Sequence, residues 1–251
     1  TPDTEQAYAA TAFGMFAPAL FRQITGESVG AFLSREVSQP LGLNHLWIGL
    51  PPDAPTPATL YPFSPSRLLR RVIPEALARN SPEGRLFRRL AFAPSSHSYR
   101  AVRNPDLGRR GLEVLNDRRN LEIELPWMNG VTSAADLAAV YGLLGNGGTL
   151  NGTRVLSEAS IAGLSERQSW SDRDPVVHKP LGFSLGFCKE GPEVYSPNSE
   201  SFGHTGTGGS IGFADPAAGV GFGYVMNRLD WRLRSPRALR LARAVYASLE
   251  R

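Results

Sequence analysis

The chain has 251 residues, of which 41% are hydrophobic and 20% are charged. This composition permits a packed core and excludes wholesale disorder. Because Cys188 is the sole cysteine, an internal disulfide and a zinc site built on two or more cysteines are also excluded. No apolar run approaches the roughly 20 residues of a membrane span, and residues 1–10 lack a secretory signal. A cytoplasmic protein that needs no metal or cofactor is therefore expected.

The positive charge of the chain comes almost entirely from arginine. The formal net charge is +4, and Lys179 and Lys189 are the only lysines among 27 basic residues. Many of the arginines lie between residues 67 and 119. One interpretation is a phosphate-binding face. The other is a solvated helical face, which we prefer because neither interleaved aromatic residues nor a nucleic-acid motif accompanies the charge. No nucleic-acid partner is expected.

The first part of the chain is predicted to be mostly helical. Residues 7–25 form one predicted helix that ends at Gly26, and "ESVGAFLSREVSQPLG" forms a second that is stopped by Pro40 and Gly42. The Arg-rich and Pro-rich residues 55–125 predict short helices and loops, packed as a cap.

A better-defined pattern begins at residue 133. Ser133 and Asp136 have the spacing of a capping box, and "NGG" at 146–148 ends the helix that they start. The residues around Asn151-Gly152 predict a small hairpin. A short helix is expected in "SEASIAGLSER".

The last eighty residues change from helical to strand periodicity. Apolar residues alternate at 183, 185 and 187 and again at 220, 222, 224 and 226, and 201–207 and 209–215 fit two further strands. The short connections predict an antiparallel sheet. A helix with Ser235 as N-cap follows, with Leu239, Ala242, Val245 and Leu249 on one face. The fold class is therefore α+β. We expect one domain, with a mostly helical lobe at 1–165 and the sheet and terminal helix at 166–251.

Ser210 stands in a G-x-S-x-G pattern, the nucleophile elbow of α/β-hydrolases. That motif requires a strand that leads into a helix, with the catalytic histidine later in the chain. Ser210 instead lies in a predicted hairpin, and no histidine follows His204. The α/β-hydrolase hypothesis is therefore rejected, and Ser210 is interpreted as a small residue in a tight strand.

Three segments together resemble another family. These are the stretch from "YAATAFGMFAPALFRQ" to "IGLP", the helix "NGVTSAADLAAVYGLLGNGG" and the strand region "FGHTGTGGSIGFADPAAGVGFGYVMNRL". In order and spacing they are similar to the serine β-lactamase-like hydrolases, most of all to the class C β-lactamase-related esterases (family VIII carboxylesterases). The resemblance implies a β-lactamase/transpeptidase-like fold, and it is weakest between residues 55 and 120.

The resemblance also implies site residues. Tyr8 falls on the tyrosine of the family's Y-x-N motif, and His204, Thr205 and Gly206 fall on its K-T-G strand motif. Thr207 then occupies the position whose backbone N–H gives half of the oxyanion hole, and Thr205 and Gly206 would line the substrate. Ala10 replaces an asparagine that binds the amide of β-lactams. His204 replaces a lysine, which removes a permanent positive charge.

In that family a serine attacks the substrate carbonyl and forms an acyl-enzyme, with the tyrosine as base. The serine stands in S-x-x-K, before the tyrosine motif. Neither lysine here has a serine three residues earlier, since those positions are Val176 and Gly186. The chain therefore resembles the C-terminal portion of such a hydrolase, with an incomplete sheet. We expect an esterase for small neutral esters whose nucleophile lies outside this chain, the alternative being a non-catalytic relative that serves as a binding module. We also expect Tyr8 to lie near His204.

Overall fold

In the computed structural model, the described residues are 4–62, 70, 73–78, 80–189 and 194–249. Parts of the Arg-rich segment, namely 63–69, 71–72 and 79, therefore lie outside the described residues. The elements follow the predicted order of a helical part and then an antiparallel sheet with a terminal helix. The fold class is α+β, as the sequence predicts.

The first 165 residues contain most of the helices. Besides the α-helices named below, this part contains a π-helical turn at Ser34–Ser38, a 3₁₀ turn at Gly111–Asn116 and a helical segment at residues 73–77. The α-helices are α1 (Phe13–Thr25), α2 (Val29–Leu33), α3 (Gln39–Leu41), α4 (Pro82–Phe92), α5 (His97–Val102), α6 (Arg118–Glu122), α7 (Ala134–Gly145), α8 (Glu158–Ala162) and α9 (Pro236–Leu249).

Nine short strands among the described residues form antiparallel ladders. Two small pairs lie in the helical part: β1 with β2, and β3 with β4. In the main sheet, β5 pairs with β6 and β7–β8–β9 form a three-stranded ladder. Cys188 bridges both ladders through Phe183 and Gly203. The strands are β1 (Leu46–Trp47), β2 (Val131–Thr132), β3 (Thr149–Leu150), β4 (Thr153–Arg154), β5 (Ser169–Ser171), β6 (Leu181–Phe183), β7 (Phe202–Thr205), β8 (Ile211–Asp215) and β9 (Val220–Tyr224).

The main sheet is covered on both faces, which explains why every residue of β8 is buried. Ile211 and Phe213 pack on the side of α9, whereas Ala214 packs on the side of α7. On the α9 side, Tyr246 donates a hydrogen bond to the fully buried Asp215 (2.7 Å), at the turn between β8 and β9. Strand periodicity divides these side chains between two apolar clusters, and the sheet lies between helices.

The predicted helix 7–25 begins later than expected, at Phe13. Residues 6–11 are instead held by hydrogen bonds to distant parts of the chain. Gln6 Nε2 donates to Leu181 O (3.0 Å), the Tyr8 N–H donates to Asp174 Oδ2 (2.8 Å), and Thr11 Oγ1 donates to Ala101 O (3.2 Å). These contacts outweigh local helix propensity. The helix ends as predicted at Gly26, which has a φ of 78°.

Two other helix predictions need correction. Pro40 does not stop the second helix, because it occupies the first turn of α3, where its missing N–H needs no partner. The capping box is only half formed. Ser133 accepts from the Asp136 N–H (3.0 Å), but the Asp136 carboxylate accepts from the His45 N–H (2.6 Å), which ties α7 to β1. The predicted hairpin is present, with positive φ at Asn151 and Gly152.

The apolar alternation at residues 183–187 does not mark one strand. β6 ends at Phe183, and a turn follows in which Ser184 N–H donates to Phe187 O (2.9 Å). Leu185 is 57% exposed at this turn. In α9, Leu249 is also exposed, and the buried face consists of Ala238, Ala242 and Tyr246. In both places the spacing of apolar residues in the sequence did not predict which side chains are buried.

We predict that Gly221→Ala destabilises the protein by about 1–3 kcal/mol, the usual cost of overpacking a core. α7 packs directly on β9, and a Cβ at position 221 would overlap the backbone of Gly142 and lie 2.6 Å from Ala138 O. The measurement is the urea midpoint with its slope. The control is Gly130→Ala, whose added methyl would have Trp47 O at 3.9 Å as its nearest neighbour. Equal stability of the two variants would contradict this packing.

Candidate active site

Tyr8 is fixed from two sides although it lies in no helix or strand. Its backbone N–H donates to Asp174, and its ring stacks on Phe183 of β6 with a centroid distance of 6.2 Å and an interplanar angle of 5°. Asp174 is fully buried, and its other oxygen accepts the N–H groups of Val176 (2.8 Å) and Val177 (3.0 Å). The same carboxylate therefore orders the loop before β6 and holds Tyr8 on it.

The Tyr8 hydroxyl lies 3.3 Å from His204 Nε2, although the two residues are 196 positions apart in sequence. The predicted proximity of Tyr8 and His204 is confirmed. His204 is half-buried on β7 opposite Gly212, and its ring centroid lies 6.0 Å from that of Tyr8. A phenol and an imidazole at this distance can share a proton.

Burial lowers the pKa of His204 below its ordinary value near 6.5. A hydrogen bond with the Thr205 backbone raises this pKa, and the positive charge of Lys179 lowers it. His204 is therefore neutral at pH 7. A neutral imidazole has one acceptor nitrogen, and Nε2 in that form accepts the Tyr8 O–H.

Lys179 was not identified as a site residue from the sequence. It follows the Asp174 loop, is only 9% exposed, and lines a small cavity of about 50 Å³ together with Tyr8 and His204. In the sequence, Lys179 stands out only by its failure to complete an S-x-x-K motif, because position 176 is valine. A cation placed beside a strand by a different loop has no short-range motif that could reveal it.

Thr207 lies where two cavities meet. It follows β7, its side chain is exposed, and it lines both the small cavity and a larger one of about 560 Å³. Within the described part of the chain, its backbone N–H has no hydrogen-bond partner. Such a group can donate to a ligand oxygen. Thr205 lies at the end of β7 and also lines the small cavity.

The turn after Thr207 accounts for the glycines in this strand region. A Cβ on Gly206 would overlap Ser210 Oγ, and Gly209 has a φ of 114°. Gly206 N–H donates to Ser210 O (2.8 Å), which closes the turn. Ser210 therefore lies in a hairpin and not at a strand-to-helix elbow. The interpretation of Ser210 as a small residue in a tight strand needs correction, because β8 begins at Ile211 and Ser210 lies in the turn before it.

The larger cavity has both apolar and polar walls, and Arg228 and Arg237 belong to the polar part. Its walls come from the 3₁₀ turn, the residues before β2 and the segment after β9, and it includes Leu112, Leu115, Met128, Met226 and Leu229. Among the described residues, no group of three or more His, Cys, Asp or Glu side chains is placed to hold a metal. None of the described helices has the length and apolar character needed to cross a bilayer.

Comparison with known proteins gives a consistent result. The Beta-lactamase family model matches residues 1–246. The chain is 36% identical over 228 residues to the esterase/beta-lactamase LipL of Mycobacterium tuberculosis, covering 90% of this chain and 49% of that protein. Its fold is similar to that of a family VIII carboxylesterase, with a TM-score of 0.73 and 32% identity over 97% of this chain and 58% of that one.

A penicillin-binding protein homologue from Caulobacter crescentus is also similar, with a TM-score of 0.67 and 29% identity. That match covers 98% of this chain and 59% of the other. The chain thus spans about half the length of the curated relative and under two thirds of these two structures.

We predict that the stability of the protein decreases as the pH falls below about 6.5, in part because of His204. Its pKa is lower in the folded state than in the unfolded chain, so unfolding takes up a proton between the two values. His204→Gln should make the decrease between pH 7.5 and 5.5 less steep, by at most about 1.4 kcal/mol per pH unit. Urea denaturation at several pH values measures this slope.

The effect of His204→Gln can be compared with that of His178→Gln, because the pKa of His178 is also lowered, first by burial and then by neighbouring arginines. His178→Gln should therefore reduce the slope as well. An NMR titration that gives His204 a pKa at or above 6.5 would contradict the assignment.

Proposed function

Because this chain belongs to the β-lactamase family, we propose that it forms the tyrosine-bearing side of a serine esterase active site. The observation that carries the proposal is the Tyr8–His204 pair beside the open N–H of Thr207. The substrates are small neutral esters, and hydrolysis passes through an acyl-enzyme. The attacking serine comes from polypeptide outside residues 1–251, because neither Lys179 nor Lys189 completes an S-x-x-K motif.

In this mechanism Tyr8 and His204 transfer protons and the nucleophilic serine forms the bond. As the serine oxygen adds to the ester carbonyl, its proton moves to Tyr8, whose own proton moves to Nε2 of neutral His204. The proton returns to the alcohol as the ester C–O bond breaks. Water then attacks the acyl-enzyme through the same relay and releases the carboxylic acid. A separation of 3.3 Å is slightly long for this transfer, and such contacts commonly shorten when substrate binds.

Lys179 supplies a permanent positive charge beside the pair, but from a buried position in the loop before β6 and not from strand position 204. It lies beside both partners of the pair, so it favours negative charge on the Tyr8 oxygen and the neutral form of His204. Thr207 N–H donates to the carbonyl oxygen as that atom becomes negative. Loss of one such donor typically costs about 10²–10³ in rate.

The preference for neutral esters follows from charge and wall chemistry. A β-lactam carries a carboxylate, which a neutral His204 attracts less than a lysine would. Ala10 cannot bind the β-lactam side-chain amide. The leucine and methionine side chains of the larger cavity beside Thr207 suit the hydrocarbon part of an ester, and Arg228 and Arg237 line another part of this cavity.

We predict that the protein in its nucleophile-containing form has a higher kcat/KM for p-nitrophenyl butyrate than for nitrocefin. His204→Lys should shift this ratio toward nitrocefin, because the ammonium group attracts the β-lactam carboxylate. Steady-state kinetics on both substrates measure the ratio. A higher kcat/KM for nitrocefin in the unmodified protein would reject the ester preference.

Two tyrosine variants test whether that activity arises at this site. Tyr8→Phe should lower kcat by about 10²–10⁴, the usual contribution of a positioned acid–base group. The matched control is Tyr61→Phe, whose side chain is 50% exposed on the surface and which should leave kcat unchanged. Similar kinetics for Tyr8→Phe and the unmodified protein would exclude the proton-transfer role.

We predict that residues 1–251 alone form no stoichiometric adduct with a fluorophosphonate probe, as read by intact mass. The proposed nucleophile is outside these residues, and assisting groups without it give only weak catalysis. An adduct that maps to Ser210 or to any other serine of the chain would place the nucleophile here. If the nucleophile-containing form also failed to react, the alternative of a non-catalytic binding module would replace the esterase.

A further inference from the structure

Two adjoining cavities of about 370 and 300 Å³ lie away from Tyr8, between α4, α5 and the loop before β6. They share Arg89, Arg173 and His178. Arg85 and Phe92 line the smaller cavity, and the residues from Ser95 to Ser98 line the larger. The esterase proposal makes no use of these cavities.

The cavities concentrate positive charge from distant parts of the sequence. Arg85, Arg89 and Arg173 line the smaller cavity together with His178. Beyond the effect of burial, Arg173, Arg89 and Arg85 each lower the pKa of His178. No Asp or Glu is among the lining residues. The undescribed residues 63–69, 71–72 and 79 contain no acidic residue either. The carboxylate of Asp174, which acts to raise the pKa of His178, is fully buried and accepts backbone N–H groups with both oxygens.

The guanidinium groups here have unused hydrogen-bonding capacity. Arg85 Nε is buried without an acceptor among the described residues. Arg89 and Arg173 are exposed at the rim, and within the described part of the chain neither is paired with a carboxylate. Arg85 donates from one Nη to Asn80 O (2.6 Å), and Arg88 donates to the backbone oxygens of Ala76 and Ala78, so these two side chains also serve the local fold.

The base of the larger cavity is rigid. Ser98 is fully buried and its hydroxyl donates to Val176 O (2.8 Å), so it accepts from His178 Nε2 at 2.9 Å. This fixes the imidazole of His178, whose φ of 59° lies in the left-handed region. A histidine held in this way, beneath three cations, is an ordered surface for an anion and differs from a solvated helical face.

We propose that these cavities bind a small phosphate monoester, with the phosphate among Arg85, Arg89 and Arg173, beside His178, and the organic part against Phe92. A phosphate offers three terminal oxygens to three guanidinium groups, whereas a carboxylate offers two. Phe92 is 83% exposed beside Arg89, so an apolar group on the ligand would cover it. The combined cavity volume lies within the range of small-molecule sites.

The four histidines of the chain can report where a phosphate binds. The experiment titrates the histidine-labelled protein with phenyl phosphate and with inorganic phosphate, at constant ionic strength, and follows the imidazole signals by NMR. His97 and His178 line the cavities, whereas His45 and His204 lie elsewhere. We expect saturable shifts at His178 and His97 and none at His45 or His204.

Variants test whether the NMR shifts of the histidines arise from phosphate bound at the proposed contacts. Arg89→Gln and Arg173→Gln should each weaken the binding of phenyl phosphate about tenfold, which is the effect of one lost charge-assisted hydrogen bond. Both side chains are exposed, so the fold should tolerate the changes. Phe92→Ala should weaken the binding of phenyl phosphate and leave the affinity for inorganic phosphate unchanged. Arg243→Gln, an exposed arginine on α9, is the matched control and should change neither.

Shifts that never saturate, or that chloride reproduces at the same ionic strength, would overturn the proposal. Shifts confined to His204 would overturn it as well, by placing the phosphate in the other site. Binding that survives both Arg89→Gln and Arg173→Gln would exclude these guanidinium groups as the ligands. None of these results bears on the fluorophosphonate or ester experiments.

Discussion

The candidate active site and the basic cavities both depend on the hydrogen bonds made by the buried residue Asp174. One oxygen accepts the Tyr8 N–H and the other accepts the N–H groups of Val176 and Val177. The Asp174 backbone also bonds to the next residues, because its O accepts from His178 N–H and its N–H donates to Lys179 O. Hydrogen bonds to a buried charge are among the stronger ones in proteins. A single residue, through its carboxylate and its backbone, thus holds the candidate base, the nearby cation and the histidine of the basic cavities.

The main sheet is the second constraint on the site. It fixes β7, the strand that carries His204 opposite the Asp174 loop. Helices cover both faces of β8, and close contact between α7 and β9 depends on glycine at position 221. β7 pairs with β8 and carries His204 and Thr205 into the small cavity. A strand held in this way has little freedom to adjust. The 3.3 Å separation of Tyr8 and His204 is therefore set by the packing of the core and not by flexible side chains.

The replacement of a strand lysine by histidine changes how charge is distributed in the site. His204 is neutral at pH 7 and can accept a proton, whereas the positive charge of Lys179 comes from a neighbouring loop. Cation and proton acceptor are therefore separate residues. Arginines show a similar division of roles. Arg118 donates to Pro51 O (2.6 Å) and so holds a loop, whereas Arg89 and Arg173 face solvent beside the basic cavities. The interpretation of the arginines as one solvated face was too simple.

The sequence by itself determined the fold class, the antiparallel pairing of the sheet, the hairpin at Asn151-Gly152 and the partnership of Tyr8 with His204. These depend on local periodicity, turn chemistry and the order of family motifs, all of which a linear pattern records. Only the tertiary structure decided that α1 begins at Phe13, that Lys179 joins the site and that Arg85, Arg89 and Arg173 surround His178. The physical reason is that each of these outcomes arises from contacts or long-range charge between segments far apart in the chain, which override local propensity and leave no fixed spacing in the sequence.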